Sequence, residues 1–442
     1  MKHQPLKGFR DYLPEEMIPR ERMIETVQAV FRLFGFSPLA TPAMEYAEVL
    51  LGKYGADAEM LIYRFTDQGG RDVALRYDLT VPLARVLASY GDLKKPFKRY
   101  QVAPVWRGES PGPGRFREFY QCDVDIVGTD SLLADAECIQ VDQAVLEELR
   151  VGAFKIRINN RKVLDGLSEL LGVAEPNAVK QLYRTIDKLE GRGEATVREL
   201  LAKECGLAPG KIDLVFEYLS SEGDDETRLA RLDRLFSSSE VGRRGVAELR
   251  EVRDLAMAGG VAADSVAIDP AIARGLDYYT GTIFETNLLD LPRFGSVMSG
   301  GRYDGLIGTF TGQPTPAVGI SVGIDRLLAA LLELGRVERR TTTTRVLVTV
   351  FDVSMRRASL DVARRLREAR IETEVFLGDQ KVGKQFQYAD KKSIPLVVVL
   401  GPDEVKAGQA TIKDMRKAEQ VQVSLNGLVE AITARTGEKK TT

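Results

Sequence analysis

Apolar residues recur three and four apart at Met23, Ile24, Val27, Val30, Phe31 and Phe34. That spacing is one face of an α-helix, beginning after "GFRDYLPEE" and closed by Gly35 as a C-terminal glycine. Pro38 and Pro42 then force an extended segment. Lys98–Trp106 and Arg115–Gly128 read as strands, and the "RGESPGPG" between them is loop-like, so the pair predicts an antiparallel hairpin with a long connection. From about Asn160 to Gly260 the pattern turns helical, with breaks at "EGRGE", "GLAPGK" and "SSEGDD". This predicts a helical insertion, over about residues 165–260, in a strand-rich body spanning 1–335. Strands resume at "GTIFETNL" and "TPAVGISVGI", followed by a helix from Asp325 to about Gly335. The threonine-rich "VERRTTTTR" marks a linker, placed at 336–343. Beyond it, in 344–442, "RVLVTVF", "IETEVFL" and "PLVVVLG" alternate with helical segments, predicting a small α/β domain with a largely parallel sheet.

Several of these elements carry side chains that a core does not need. Along the second hairpin strand, Tyr120, Cys122, Val124 and Ile126 share one face, and Arg117, Phe119, Gln121, Asp123 and Asp125 the other. Spacing leaves open whether the polar face is solvated or turned to a ligand. "ALRYDLTVPLAR" puts Asp78 and Thr80 on one side of an otherwise apolar strand end. "SGGRYDGLIG" sets Arg302, Tyr303 and Asp304 between glycines, predicting a tight turn, with or without a ligand beside it. In "VGISVGIDRL" a strand runs into a helix with Arg326 in the first turn, where a cation opposes the helix dipole. Either it is an ordinary surface arginine or it serves another partner. "ARGLDYYTGTIFE", residues 273–285, packs Arg274, Asp277, Tyr278 and Tyr279 between glycines ahead of a β-prone run.

Composition narrows the chemistry. A chain of 442 residues, 44% hydrophobic and 29% charged, has room for two to four globular domains. No run approaches the roughly 18 apolar residues of a membrane span, and the first residues lack a signal-peptide apolar core, so a cytoplasmic location is expected. Cys122, Cys138 and Cys205 have no C-x-x-C spacing and are expected as reduced core thiols. The single histidine, His3, leaves no Ser-His or Cys-His dyad, no imidazole base and no histidine-based zinc site. Residues 341–442 hold 18 Lys+Arg against 13 Asp+Glu, a balance of +5, while the remainder, with 44 against 51, stands at −7. A basic C-terminal module is compatible with nucleic acid, or with no ligand at all. No G-x-x-x-x-G-K-[ST] loop occurs and no G-x-G-x-x-G follows a first strand, so phosphates would have to meet arginines.

In this order the clusters resemble the histidyl-tRNA synthetases, of the class II aminoacyl-tRNA synthetases, from "KGFRDYLPEE" to the C-terminal domain. "FGFSPLATPAME" resembles class motif 1, the dimer element, with Pro42. "VWRGE…RFREF" resembles motif 2, and "GISVGIDRL" motif 3. "RGLDYYTG" and "SGGRYDGL" match the two histidine-specific signatures. The resemblance implies an α+β catalytic domain (an antiparallel sheet flanked by helices) with a helical insertion, and a C-terminal α/β anticodon-binding domain. It implies ligation of L-histidine to tRNA(His) through histidyl-adenylate by a homodimer, with no membrane association. ATP would enter as its Mg²⁺ complex, without a bound organic cofactor or a zinc site.

Roles are implied residue by residue. Arg107 would hold the ATP α-phosphate, Arg115 and Arg326 the outer phosphates, and adenine would lie between Phe119 and Arg326 with Glu109 at its edge. Asp78, Thr80, Gln121 and Asp125 would take the histidine α-ammonium. Tyr279 and Tyr303 would read the imidazole, with Tyr278 lining the site. Arg274 would act at the α-phosphate and the substrate carboxylate, and with Arg107 carry the catalysis. The Mg²⁺ ligands are not implied. Asp125 and "YDLT" follow the eukaryote-like form of the family, where the common bacterial form has Glu and "PEGT". The "SPGPG" loop is short and lacks the basic residues often found there. The alternative function is the non-catalytic histidine-binding regulatory subunit of ATP phosphoribosyltransferase, which usually lacks both the anticodon-binding domain and the "RGLDYY" arginine.

Overall fold

The computed structural model describes residues 3–54, 56–112, 114–273, 278–417 and 419–436. Helix Pro14–Leu33 forms on the predicted face, with Met23, Val27, Val30 and Phe31 buried. Gly35, at φ +76°, ends it, the Phe36 N–H reaching the Phe31 carbonyl (3.1 Å) and the Gly35 N–H that of Arg32 (3.0 Å). That pair of bonds is the Schellman closure, which needs a left-handed residue where glycine stands.

The chain divides into two units, Met1–Asp11 with Arg20–Val337 and Tyr12–Pro19 with Glu338–Thr442. The strands of the first are β1 (Ser37–Pro38), β2 (Met44–Tyr46), β3 (Arg64–Thr66), β4 (Asp72–Leu75), β5 (Phe97–Trp106), β6 (Glu118–Val127), β7 (Phe154–Asn160), β8 (Val266–Ile268), β9 (Thr282–Leu288), β10 (Ser296–Arg302) and β11 (Ala317–Gly323). Eight of them form one sheet in the order β1-β5-β6-β11-β10-β9-β7-β8. Its six inner strands are antiparallel, and only the edge strands β1 and β8 pair in parallel. The predicted hairpin is the ten-residue pair β5–β6. Helix Leu132–Glu148 packs on one face of the sheet, and the opposite face stays open as a cavity.

Six helices, from Arg161–Leu170 to Glu240–Ala258, fill the segment between β7 and β8. Because these strands are parallel neighbours, the helical block is the crossover that parallel pairing requires. The sequence pattern marked this block but passed over helix Leu132–Glu148. With Asp135 and Asp142 both buried, that helix lacks a clean polar stripe.

Two local expectations are corrected. Thr80 does not lie on a strand end: β4 stops at Leu75, Asp78 sits between bends at Tyr77 and Leu79, and Thr80 starts helix Thr80–Ser89. The glycines of "SGGRYDG" divide between a strand and the expected turn, which takes only Gly305. Gly300 and Gly301 lie inside β10, and the turn begins only after Tyr303.

The second unit holds β12 (Val346–Val348), β13 (Thr373–Val375), β14 (Leu396–Val399), β15 (Gln409–Asp414) and β16 (Gln420–Ser424), in the order β13-β12-β14-β15-β16. The first two pairings are parallel and the last two antiparallel, so the sheet is mixed where a largely parallel one was expected. The antiparallel half comes from β15 and β16, polar strands without the apolar run that marks β12 and β14. Val346, Val348, Leu396 and Val398 pack under helix Arg356–Glu368 on one face, and Leu347 and Val397 under helix Val382–Lys391 on the other.

Candidate active site

Register across the central sheet lines up the polar side chains. Arg99, Asp125, Gly319 and Gly301 form one row over β5, β6, β11 and β10; Gln101, Asp123, Ser321, Ser299 and Glu285 form the next, ending on β9. Directly paired residues share a face, and Asp125 and Gly319 of the first row, with Asp123, Ser321, Ser299 and Glu285 of the second, line a cavity of about 860 Å³. The glycines make the floor. A Cβ at Gly319 would stand 2.2 Å from Asp125 Oδ1, and one at Gly301 2.6 Å from the Thr282 carbonyl.

One end of the cavity is built from buried acids and tyrosines. Asp78 Oδ1 accepts from the Val81 N–H and from the Tyr54 hydroxyl, each at 3.0 Å, and Tyr278 stands 3.5 Å from Oδ2. Asp125 Oδ2 lies 2.6 Å from Arg99 Nη2, and its Oδ1 accepts from the Tyr303 hydroxyl. Arg99 has no solvent exposure. Burial raises the carboxyls of Asp78 and Asp125, opposed most by the Val81 N–H for the first and by Arg99 for the second. Asp123 is pushed up to about 7, chiefly by burial, with Arg99 pulling it down and Asp125 adding to the rise. Gln121 donates to Ser321 Oγ at 2.8 Å. Burial raises the phenols of Tyr278, Tyr279 and Tyr303, which keeps them protonated and able to donate.

The tyrosines are held from behind. Arg302 turns away from the cavity to Asp135, with Nε 3.1 Å from Oδ1, and donates to the carbonyls of Thr129 (3.1 Å) and Ser131 (3.2 Å). Thr280 Oγ1 donates to Asp304 Oδ2 and accepts from the Asp304 N–H, both at 3.0 Å. Arg302 and Asp304 thus fix the chain on which Tyr303 stands and tie it to the segment carrying Tyr278 and Tyr279.

The other end is built from arginines. Arg107 donates to the Tyr77 carbonyl at 3.1 Å, its guanidinium 4.4 Å from the Tyr77 ring and 5.0 Å from that of Phe119. Arg115, 55% exposed, pairs with Glu109. Arg326 donates to the Ser296 carbonyl from the first turn of helix Ile324–Glu333. Its unfavourable place against the helix dipole is offset by Asp325, which accepts from Arg20 at 2.6 Å and from the Tyr120 N–H at 2.7 Å.

Asp78, Thr80, Arg107, Arg115, Gln121, Asp125, Tyr278, Tyr279, Tyr303 and Arg326 all line the large cavity. Glu109 and Phe119 line an adjoining one of about 170 Å³, which shares Arg107, Arg115, Gln121 and Arg326 with it. Arg274 lies outside the described residues. Sequence reasoning left Arg99, Tyr54, Ser321 and Glu285 unremarked and gave Asp123 no role. Arg99 was within reach: the alternation of β5 offers it, but only the hairpin register sets it opposite Asp125. Among the described residues, no group of three or more His, Cys, Asp or Glu side chains is disposed to hold a metal ion. The arrangement can hold a small cationic, hydrogen-bonding group at the acidic end and a polyanion with an aromatic face at the other.

Comparison with known proteins identifies the family. Residues 8–327 match the family model described as histidyl-tRNA synthetase, and residues 345–435 the one described as an anticodon binding domain. The chain is 45% identical over 437 residues to the histidine–tRNA ligase of Rhodopirellula baltica, covering 98% of each. It is 43% identical over 455 residues to that of Stenotrophomonas maltophilia, again covering 98% of each. It is also similar to the crystal structure of histidyl-tRNA synthetase from Nostoc sp. PCC 7120, with 37% identity and a TM-score of 0.89, over 98% of this chain and 100% of that one.

Proposed function

The chain belongs to the histidyl-tRNA synthetase family, and on that premise we propose how its own residues perform the reaction. It ligates L-histidine to tRNA(His) with ATP, through a histidyl-adenylate. The observation that carries the residue assignment is the meeting of an acidic, tyrosine-lined end and an arginine-lined end in one cavity.

Histidine enters the acidic end, its α-ammonium among Asp78, Thr80, Gln121 and Asp125. Its imidazole meets the hydroxyls of Tyr279 and Tyr303, with Tyr278 closing the wall. A protonated phenol can donate to one ring nitrogen or accept from the other, so this lining favours neutral imidazole. A side chain lacking the ring N–H would leave these buried groups unpaired, which is a strong ground for rejection.

ATP enters as its Mg²⁺ complex, the α-phosphate toward Arg107, the outer phosphates toward Arg115 and Arg326, and the adenine between Phe119 and Arg326 with Glu109 at its edge. The histidine carboxylate is already an anion and attacks the α-phosphate without an enzyme base. Charge gathering on the phosphate oxygens is met by guanidinium groups held in place beforehand. Arg274, with Arg107, is assigned to that task. The adenylate then passes its histidyl group to the terminal adenosine of tRNA(His), while the C-terminal domain holds the anticodon.

The working form in this reading is a homodimer in the cytoplasm, where the tRNA is used. Its pairing surface is the apolar hollow of about 760 Å³ lined by Leu39, Pro42, Met44, Tyr46, Val49 and Phe97, in which Met44 and Tyr46 stay exposed on the single chain. The regulatory-subunit alternative makes least use of residues 345–435, which match an anticodon-binding domain. The deciding experiment is histidine-dependent exchange of labelled pyrophosphate into ATP in the presence of Mg²⁺. Histidine binding without exchange would sink the residue assignment and favour the regulatory role.

A further inference from the structure

The loop between β5 and β6, residues 107–117, carries Arg107, Glu109 and Arg115, all assigned above to ATP. Its tip is closed by the pairing of Gly112 with Arg115, and much of the remaining hold on it comes from outside. Arg117 is the centre of that hold. Its N–H donates to the Gly8 carbonyl at 2.8 Å, and its carbonyl accepts from the Arg107 N–H at 2.9 Å. Its guanidinium donates from Nε to the Glu109 carbonyl at 3.0 Å and from Nη1 to the Lys7 carbonyl at 3.2 Å. One half-buried residue thus ties an amino-terminal arm, residues 7–10, to the backbone of two ATP-assigned residues. Gly8 fits there because it has no side chain. It stands at φ +86°, and a Cβ would lie 2.8 Å from Arg117 Cγ and Cδ and 3.0 Å from Pro111. Arg10 lies 5.1 Å from the Phe116 ring, and Phe9 meets Tyr63 edge-on at 6.1 Å. The Gly108 N–H donates to the Leu61 carbonyl at 2.7 Å. Arg117 itself lines neither the large cavity nor the adjoining one.

A loop rich in glycine and proline has many conformations open to it, and a ligand that needs one of them bears the cost of ordering it. A loop already held spares ATP that cost. We propose that residues 7–10 are a positioning element of the ATP site, and that Arg117 is the positioning residue through which they set Arg107, Glu109 and Arg115. This rests on the ATP assignment given above and extends it to residues outside the cavity. The effect falls on ATP and spares histidine, because the acidic end draws on residues beyond this loop.

The test is pyrophosphate exchange by the full-length protein carrying Gly8→Ala, Arg117→Ala or both. Each single change is expected to raise the KM for ATP about 10- to 100-fold, the cost of ordering the three long side chains at binding. Bound ATP then holds the loop itself, so kcat at saturating ATP should stay within about three-fold. Histidine affinity, measured by calorimetry, should stay within about two-fold, since its site is separate. The double variant should match the larger single effect, because both changes undo one contact. Arg117→Lys keeps the charge but not the fork that reaches two carbonyls, and should resemble Arg117→Ala. A normal KM for ATP in Gly8→Ala, or effects that add in the double variant, would overturn the proposal. So would an equal loss of histidine affinity, the mark of a merely structural residue. Arg115→Ala tests the underlying assignment by itself. An unchanged KM for ATP there would remove that assignment and the proposal with it, whereas a raised KM beside normal arm variants would overturn the proposal alone.

Discussion

At the acidic end of the cavity, proposed for histidine, Asp125 is closed by Arg99 and Tyr303, and Asp78 by Tyr54 and the Val81 N–H, all of them out of water. At the arginine-lined end, proposed for the nucleotide, Arg115 holds Glu109 from a half-exposed position and Arg326 holds a strand carbonyl. The first arrangement is rigid before any substrate arrives, and few of its groups need to change partner to bind one. The second keeps its guanidinium groups in place with partners that a triphosphate can displace. In the proposed reading, shape selection belongs to the first region and charge stabilisation to the second, the division a two-substrate ligase needs.

The largest expected effect comes from breaking the support behind the histidine end. Asp135→Asn leaves the buried Arg302 with only Asp304, 3.4 Å away, as its anion and should destabilise the fold by about 3–5 kcal/mol, measured by urea unfolding. The same exchange at a solvated pair such as Arg64–Asp72 should leave the unfolding midpoint close to its starting value, because solvent screens the pair. Equal losses would erase the contrast between buried and displaceable pairs.

Next, Arg326→Ala should slow pyrophosphate exchange by about 100- to 1,000-fold, as loss of one fixed charge-stabilising group does elsewhere. Histidine affinity should hardly move, since the two ends share only the cavity. A parallel fall in histidine affinity would show the ends to be one unit.

A smaller effect is set by pH. Asp123 is held near 7 by burial, with Arg99 opposing and Asp125 and Asp78 adding to the rise, against an unfolded value near 4. Between those values the folded state binds a proton that the unfolded state has released, so stability falls as pH rises. Linkage puts the fall at about 2 kcal/mol from pH 5 to pH 7. Asp142, also pushed up to about 7 by burial, adds a fall of its own over the same window, so thermal melts of the free protein should show a slope that Asp123→Asn cuts by about half. A slope unchanged by that variant would assign the titration to another group.

Smallest is Glu109→Gln, which releases Arg115 from an exposed pair. It should change the KM for ATP by about five-fold at most and leave that for histidine alone. A large effect on histidine would again merge the two ends.

Much of this organisation was legible along the chain. Met23, Val27, Val30 and Phe31 announce their helix because a period of 3.6 is local, and Gly35 ends it because the closing bonds span only a few residues. The polar face of β6 could be seen in its alternation for the same reason. Thr80 was misplaced because one apolar stretch suits a strand end or a helix start equally well, and the bends at Tyr77 and Leu79 decide between them. In the C-terminal unit, β15 and β16 escaped notice because their stability comes from pairing with β14 rather than from an apolar run.

The sequence by itself determined which side chains are present at which local spacing, and through its motifs the family and the reaction. Only the tertiary structure decided that Arg99 faces Asp125, that Arg302 turns back to Asp135 while its neighbour Tyr303 turns inward, and that Asp123 is buried beside Asp125 and pushed up to about 7. Helix and strand periods are written within a few residues of sequence. The state of a buried charge depends on which groups a folded sheet brings within a few ångströms of it, and those come from strands tens to hundreds of residues apart.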